Sequence, residues 1–407
     1  MKVFECCRWN RTPPYRASVM AMVWVTWATQ VYSNALPANV QFQGFASQGI
    51  VYSRVNRFFT DAVDKAGLDF TEVGINGSML PHPSMRIAAQ ILARRAGETD
   101  DGHIRLDYGL LDFRLRSVDR YDLGIRVGRL KNPLGLYNET RDMAFTRPCV
   151  LLPQSIYFDR VRDIALSGDG LHVYSNHRWA HNNIYVQLGA ILPRVGGTTT
   201  ESALLMGNRP GKLQRELTYL GRIIYEYNGG RVRVAYSDFL VNTGYREGSG
   251  GSNGDGDIRF NPKILSLQFN AETFSMTAEY ARRNFKFHAL ENYLPFDEVT
   301  GESFYLQSTF RPTAAVELML RYDVVHQDGD DKNGKQFQAL TGIPGYFRYA
   351  KDWTLGGRWL SSQNWLISLE QHWVEGTAWL PPQDNPNINA IKKNWGMTLF
   401  TVTYRFF

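Results

Sequence analysis

About sixteen segments of this 407-residue chain read as strands, several of them alternating apolar with polar side chains at a period of two, and no heptad or long amphipathic helix interrupts them. A period of two is the side-chain repeat of a strand with different surroundings on its two faces. The segments fall near 40–53, 69–79, 84–93, 104–117, 121–130, 164–174, 182–192, 216–227, 231–242, 263–270, 273–284, 303–311, 314–325, 352–361, 364–374 and 394–407. The last is the clearest: Phe400, Val402, Tyr404 and Phe406 alternate with Thr401, Thr403 and Arg405. A strand of this kind at a chain end is adhesive unless both its edges are paired, and closing the sheet on itself pairs them.

The links between segments alternate in length. Ser117–Arg120, Asn228–Gly230, Asn270–Glu272, Arg311–Thr313 and Ser361–Asn364 are hairpin-sized and rich in turn formers. Between them lie longer links near 54–68, 94–103, 131–163, 193–215, 243–262, 285–302, 326–351 and 375–393. Tight turns at one rim and long loops at the other give the layout of a transmembrane antiparallel β-barrel, all-β, with short periplasmic turns and long outer loops.

The alternation assigns faces. Val316, Leu318, Leu320, Tyr322 and Val324 oppose Glu317, Arg321 and Asp323; Trp365, Ile367, Leu369 and Trp373 oppose Ser368, Glu370 and His372. In a membrane barrel the polar row faces water inside, whereas a soluble sandwich reverses the faces, so the period alone does not choose. Segment 104–117 changes phase: Ile104, Leu106 and Tyr108 lie on one row, Leu111, Phe113 and Leu115 on the other, which predicts a bulge near Gly109.

The first 35 residues favour the membrane reading. Lys2, Arg8, Arg11 and Arg16 precede an apolar run from Ala17 to about Val31, followed by Ser33, Asn34 and Ala35. This is the order of a secretory signal peptide, cleaved between Ala35 and Leu36. Its removal takes Cys6 and Cys7 with it and leaves Cys149 alone, so residues 36–407 can form no internal disulfide. Those residues read as one barrel domain that is only mildly basic. No clustered basic helix points to nucleic acid, no cofactor motif is present, and the eight histidines lack metal-ligand spacing.

The longest link, 131–163, is the third on its rim, and links of this length usually serve a function. Its entry, Gly128-Arg129-Leu130-Lys131-Asn132-Pro133-Leu134-Gly135, resembles the glycine, basic residue, proline entry to the third loop in sixteen-stranded porins of the phosphate- and dicarboxylate-selective kind. The resemblance implies a third loop folded inward as a constriction, a Gram-negative outer-membrane location with lipid and lipopolysaccharide around it, and a homotrimer. The loop carries Lys131, Arg141, Arg147, Arg160 and Arg162 with Asp142 and Asp159, and the strands add Arg114, Arg116 and Arg126 on polar rows. These ten are the expected constriction and solute-binding residues. Their arginine excess suits carboxylate and phosphate oxygens, so small hydrophilic anions are the expected solutes. The lysine-rich pore of phosphate porins is missing. The expected activity is therefore passive diffusion with mild anion preference. A non-conducting adhesion or assembly barrel, or an outer-membrane enzyme, remains the alternative.

Overall fold

The computed structural model describes residue 37, residues 39–61 and residues 63–406. The expected leader at 1–35 and the final Phe407, one position off the lipid-facing row, lie outside the described residues.

Seventeen strands make one antiparallel sheet: β1 Val40–Ser53, β2 Lys65–His82, β3 Met85–Ala96, β4 Asp100–Val118, β5 Tyr121–Lys131, β6 Ser167–Trp179, β7 Asn182–Pro193, β8 Gly211–Arg215, β9 Thr218–Tyr227, β10 Val232–Glu247, β11 Gly256–Asn270, β12 Phe274–His288, β13 Glu298–Thr313, β14 Val316–His326, β15 Tyr349–Leu360, β16 Trp365–Gly376 and β17 Asn394–Phe406. The sheet closes where β17 meets β1, from Gly44 opposite Phe406 to Ser53 opposite Met397. Strands β8 and β9 pair with successive halves of β10, so together they form one stave and the barrel has sixteen.

All sixteen expected segments are strands, and tight turns alternate with longer links as expected. Three links are corrections: 243–262 and 285–302 shrink to 248–255 and 289–297 as their flanking strands extend, and a third becomes a tight turn. The 94–103 connection shrinks to 97–99, because β3 and β4 extend toward each other and Gly97 takes the positive φ of 54° that the short turn needs.

Side-chain exposure follows the predicted rows. Leu318 and Leu320 face outward at 47% and 50%, while Met319 between them and Arg321 and Asp323 beyond, on the other row of the strand, are buried inside. Outward tryptophans form two tiers: Trp353 directly opposite Trp373, and Trp359 with Trp365 nearer the tight-turn rim. Six residues of strand separate the tiers, about 20 Å, of the order of the apolar band of a membrane barrel.

The phase change in β4 is a bulge. Leu106 pairs with Ile91 and Tyr108 with Gln90, so Asp107 has no partner across the ladder. The extra residue lets Leu106 and Leu111 both face outward and turns the Asp107 carboxylate into the interior, where it is wholly buried.

The core lies inside the barrel, around the third loop. Leu134, Ile156, Tyr157 and Ile164 pack on Leu220, Phe239, Ile264 and Tyr305 of one wall. Cys149, Val150 and Leu151 pack on Met319, Val374 and Leu399 of the other, with Phe58 and Trp379 from neighbouring loops in the same cluster.

Candidate functional site

The third loop crosses the lumen because its own polar groups are met by the inward rows of distant strands. On β12, Glu279 accepts from the Leu136 amide at 3.0 Å and from the Tyr157 hydroxyl at 2.6 Å, with Tyr305 and Ser266 completing its shell. On β16, Glu370 accepts from the Leu151 amide at 3.0 Å, while Arg321 of β14 donates to the Leu151 carbonyl at 3.0 Å. Arg358 of β15 donates to the carbonyls of Arg147 and Phe145. Each bond uses a buried backbone group that would otherwise be costly to leave unpaired.

The near side of the loop is held by charge. Arg147 meets Glu72 at 2.6 Å, and Glu72 also holds Arg94, which reaches Asp100 at 3.3 Å and Asp159 at 3.2 Å. Asp159 contacts Arg141 at 3.3 Å and Arg162 at 3.6 Å. Lys131 lies 2.6 Å from Asp107 and 2.5 Å from Asp142, which is also paired with Arg162. Arg105 completes the network on Asp100 at 2.6 Å. Five carboxylates therefore serve six cations in a volume almost closed to water. Burial and the surrounding guanidiniums hold Arg162 well below the usual arginine range, and burial lowers Arg141.

The expected site residues thus separate. Lys131, Arg141, Asp142, Arg147, Asp159 and Arg162 are brought together, each under 10% exposed, inside this network. Arg160 points away from it and donates to the Ala378 carbonyl at 2.9 Å. Arg126 is joined to Asp112 at 3.1 Å and lies over the Tyr174 ring at 4.4 Å. Arg114 is exposed near the tight-turn rim; Arg116 is exposed opposite Leu123, because a second irregularity at Leu115 shifts it toward the outward row.

Two openings flank the loop. A cavity of about 590 Å³ at the tight-turn rim is lined by Arg86, Arg114, Arg126 and Arg222 and by Asp112, Asp122, Glu139 and Glu226. Arg222 pairs with Glu139, Asp122 with Arg178 and Glu226 with Arg233. Arg86 and Arg114 have no carboxylate at ion-pair distance among the described residues. Arg126 and Glu139 are shared with a deeper recess of about 190 Å³ against Lys131 and Asp142. At the loop rim a second cavity, about 820 Å³, lies between the third loop and the later loops.

Sequence reasoning did not find Glu72, Arg94, Asp100, Arg105 and Asp107, the wall partners of the loop. Glu72 and Arg94 sit on inward rows that the two-residue period does mark; Asp107 is displaced by the bulge, so period alone puts it on no row.

No protein-family model and no curated protein matches the sequence. Solved structures match the fold. The outer membrane channel DcaP of Acinetobacter baumannii is 13% identical with a TM-score of 0.55, covering 90% of this chain and 97% of that one. An anion-selective porin from Comamonas acidovorans is 10% identical with a TM-score of 0.58, covering 90% and 99%. OprB of Pseudomonas putida is 11% identical with a TM-score of 0.55, covering 94% and 97%. At such identities the likeness is one of fold: a sixteen-stave barrel of the porin type.

Proposed function

We propose that this chain is an outer-membrane porin that passes small hydrophilic solutes by passive diffusion, with a mild preference for anions. The observation that carries the reading is a closed barrel whose third loop is bound across the lumen, with charged openings on both sides of it. A barrel that served only as an anchor would need no such internal charge. Low-dielectric walls focus the field of inward charges onto whatever passes. The anion preference rests on Arg86 and Arg114, which line the tight-turn cavity without a carboxylate at ion-pair distance among the described residues. Arg126, Arg141 and Arg147 act mainly by holding the wall and loop in shape.

The leader, the outer-membrane location with lipopolysaccharide around the outer rim, and assembly as a homotrimer belong to the same proposal. An enzymatic role finds little support. His372 lies between Asp352 at 2.7 Å and Glu370 at 3.2 Å, a catalytic-looking group, but it is 1% exposed beneath the third loop and out of reach of a substrate. Cys149 is buried in the core, and burial and the Glu370 carboxylate push its thiol well above the ordinary range, which disfavours the nucleophilic thiolate. Single-channel recording in planar bilayers tests the proposal. Stepwise conductance with an anion-leaning reversal potential in a salt gradient supports it, and silent bilayers from correctly folded protein overturn it.

A further inference from the structure

The loop-rim cavity has a chemical character of its own. Among the described residues most of the buried guanidiniums, those of Arg94, Arg141, Arg147, Arg162 and Arg222, face a carboxylate. Two that line this cavity do not. Arg348 is 8% exposed, stacks against the Phe337 and Phe296 rings at 4.9 and 5.2 Å, and its Nε has no hydrogen-bond partner among the described residues. Arg160 reaches the same cavity from the third loop; its Nη1 donates to the Ala378 carbonyl and its Nε is buried and unpartnered. Asp328 and Asp331 act on Arg348 only from beyond ion-pair distance, and among the described residues no carboxylate stands at ion-pair distance from Arg160. Burial alone brings Arg160 down to about 10, the signature of a cation without a counter-charge. Among the lining residues the one carboxylate is Glu98, which is exposed.

An unpaired, largely desolvated guanidinium is unfavourable, and an anion entering the cavity would relieve it. The rest of the lining says what kind of anion. Phe337, Phe347, Leu380 and Ile391 give the cavity apolar walls, and its volume of about 820 Å³ is that of a small-molecule site. We infer that the loop-rim vestibule is a binding site for amphipathic organic carboxylates, the carboxylate held by Arg160 and Arg348 and the apolar body against the Phe337 side. The inference rests on the pore reading for its purpose and on this cavity alone for its chemistry. Captured there, such a solute is concentrated at the mouth above the third loop.

Phenylacetate is a suitable probe, with phenylacetamide as its uncharged counterpart and acetate as the same charge without the ring. Binding is measured twice, as reduction of potassium chloride conductance in a bilayer and by calorimetry on the detergent-solubilised full chain. Phenylacetate is expected to bind about tenfold or more tightly than either control, and Arg348→Gln and Arg160→Gln are each expected to weaken it about tenfold, the worth of one charge-assisted contact. Heat-modifiable migration in SDS identifies variants that fold, and the two substitutions lie on different loops, so failure of one leaves the other. Equal binding of phenylacetamide, or unchanged affinity in a folded variant, overturns the site. A silent bilayer with normal calorimetric binding overturns the pore reading and leaves the site standing; normal conductance without preferential phenylacetate binding does the reverse.

Discussion

The Lys131 ammonium lies 2.6 Å from Asp107, the carboxylate that a one-residue bulge in β4 turns into the barrel. The bulge and the loop entry are thereby parts of one device. Without the extra residue in β4, the acid that fixes the start of the third loop would not lie against Lys131.

Removing Asp107 while keeping its shape, as Asp107→Asn, leaves Lys131 with Asp142 alone in a buried site. Breaking one partner of a buried pair costs about 3–5 kcal/mol. The expected outcome is a barrel that still migrates as a folded band in SDS but loses it at lower temperature, with added current noise as the loop loosens. Quiet, wild-type current would show that the loop is held without this contact.

On the far wall, Glu279 gathers Tyr157, Tyr305, Ser266 and the Leu136 amide. Glu279→Ala leaves those buried donors unpaired at about 1–3 kcal/mol each. We expect larger conductance steps and faster proteolysis within 131–163, read by mass spectrometry. Glu279→Gln, which keeps acceptor oxygen, should fall between the two.

Arg86 and Arg114 should act on selectivity and little on stability, since neither is in an ion pair. The double variant Arg86→Gln, Arg114→Gln is expected to move the reversal potential toward cation preference with melting unchanged. Arg147→Gln is expected to do the opposite, lowering stability through Glu72 more than it moves the potential. If the two variants exchange these effects, the assignment of roles is wrong.

Asp384, in the link between β16 and β17, accepts the amides of Phe59 and Glu98 at 2.9 Å each and so ties three loops together. Burial outweighs those bonds and pushes its carboxyl up to about 7. A folded-state value above the unfolded one, near 4, means the folded form holds the proton through that window. The stability is fully present below about pH 4 and is lost as pH rises through about 7. The protection of the Phe59 and Glu98 amides, exchange taken relative to its intrinsic rate at each pH, should therefore be lower at pH 8 than at pH 5, and Asp384→Asn should flatten the difference.

On the outer wall, Leu320 is half exposed to what we read as lipid. Leu320→Arg should cost about 2–4 kcal/mol near mid-bilayer, measured by folding into vesicles. A soluble protein would tolerate it.

Much of the fold was legible because a barrel repeats one rule. Each strand's rows could be read within the strand, as with Leu318 and Arg321, and loop lengths gave the order of the rims. The phase break in β4 was visible too, though its centre is Asp107 and not Gly109. What stayed hidden depends on contacts between distant parts of the chain. Arg141 and Arg147 were legible as charges in a long loop, but nothing local says that Asp159 and Glu72 bury them. The same holds for Arg160, whose freedom from the network follows from where the loop turns. The break of one stave at Glu216 and Leu217, between β8 and β9, had no sequence signal that we can identify.

The central claim, that solutes pass through this barrel around a fixed third loop, is tested most directly by single-channel conductance of the purified, folded protein in a planar bilayer. The account predicts discrete, steady steps that a disulfide or crosslink freezing the third loop in place leaves unchanged, with a reversal potential favouring chloride. Bilayers that stay silent although the protein has inserted would contradict it.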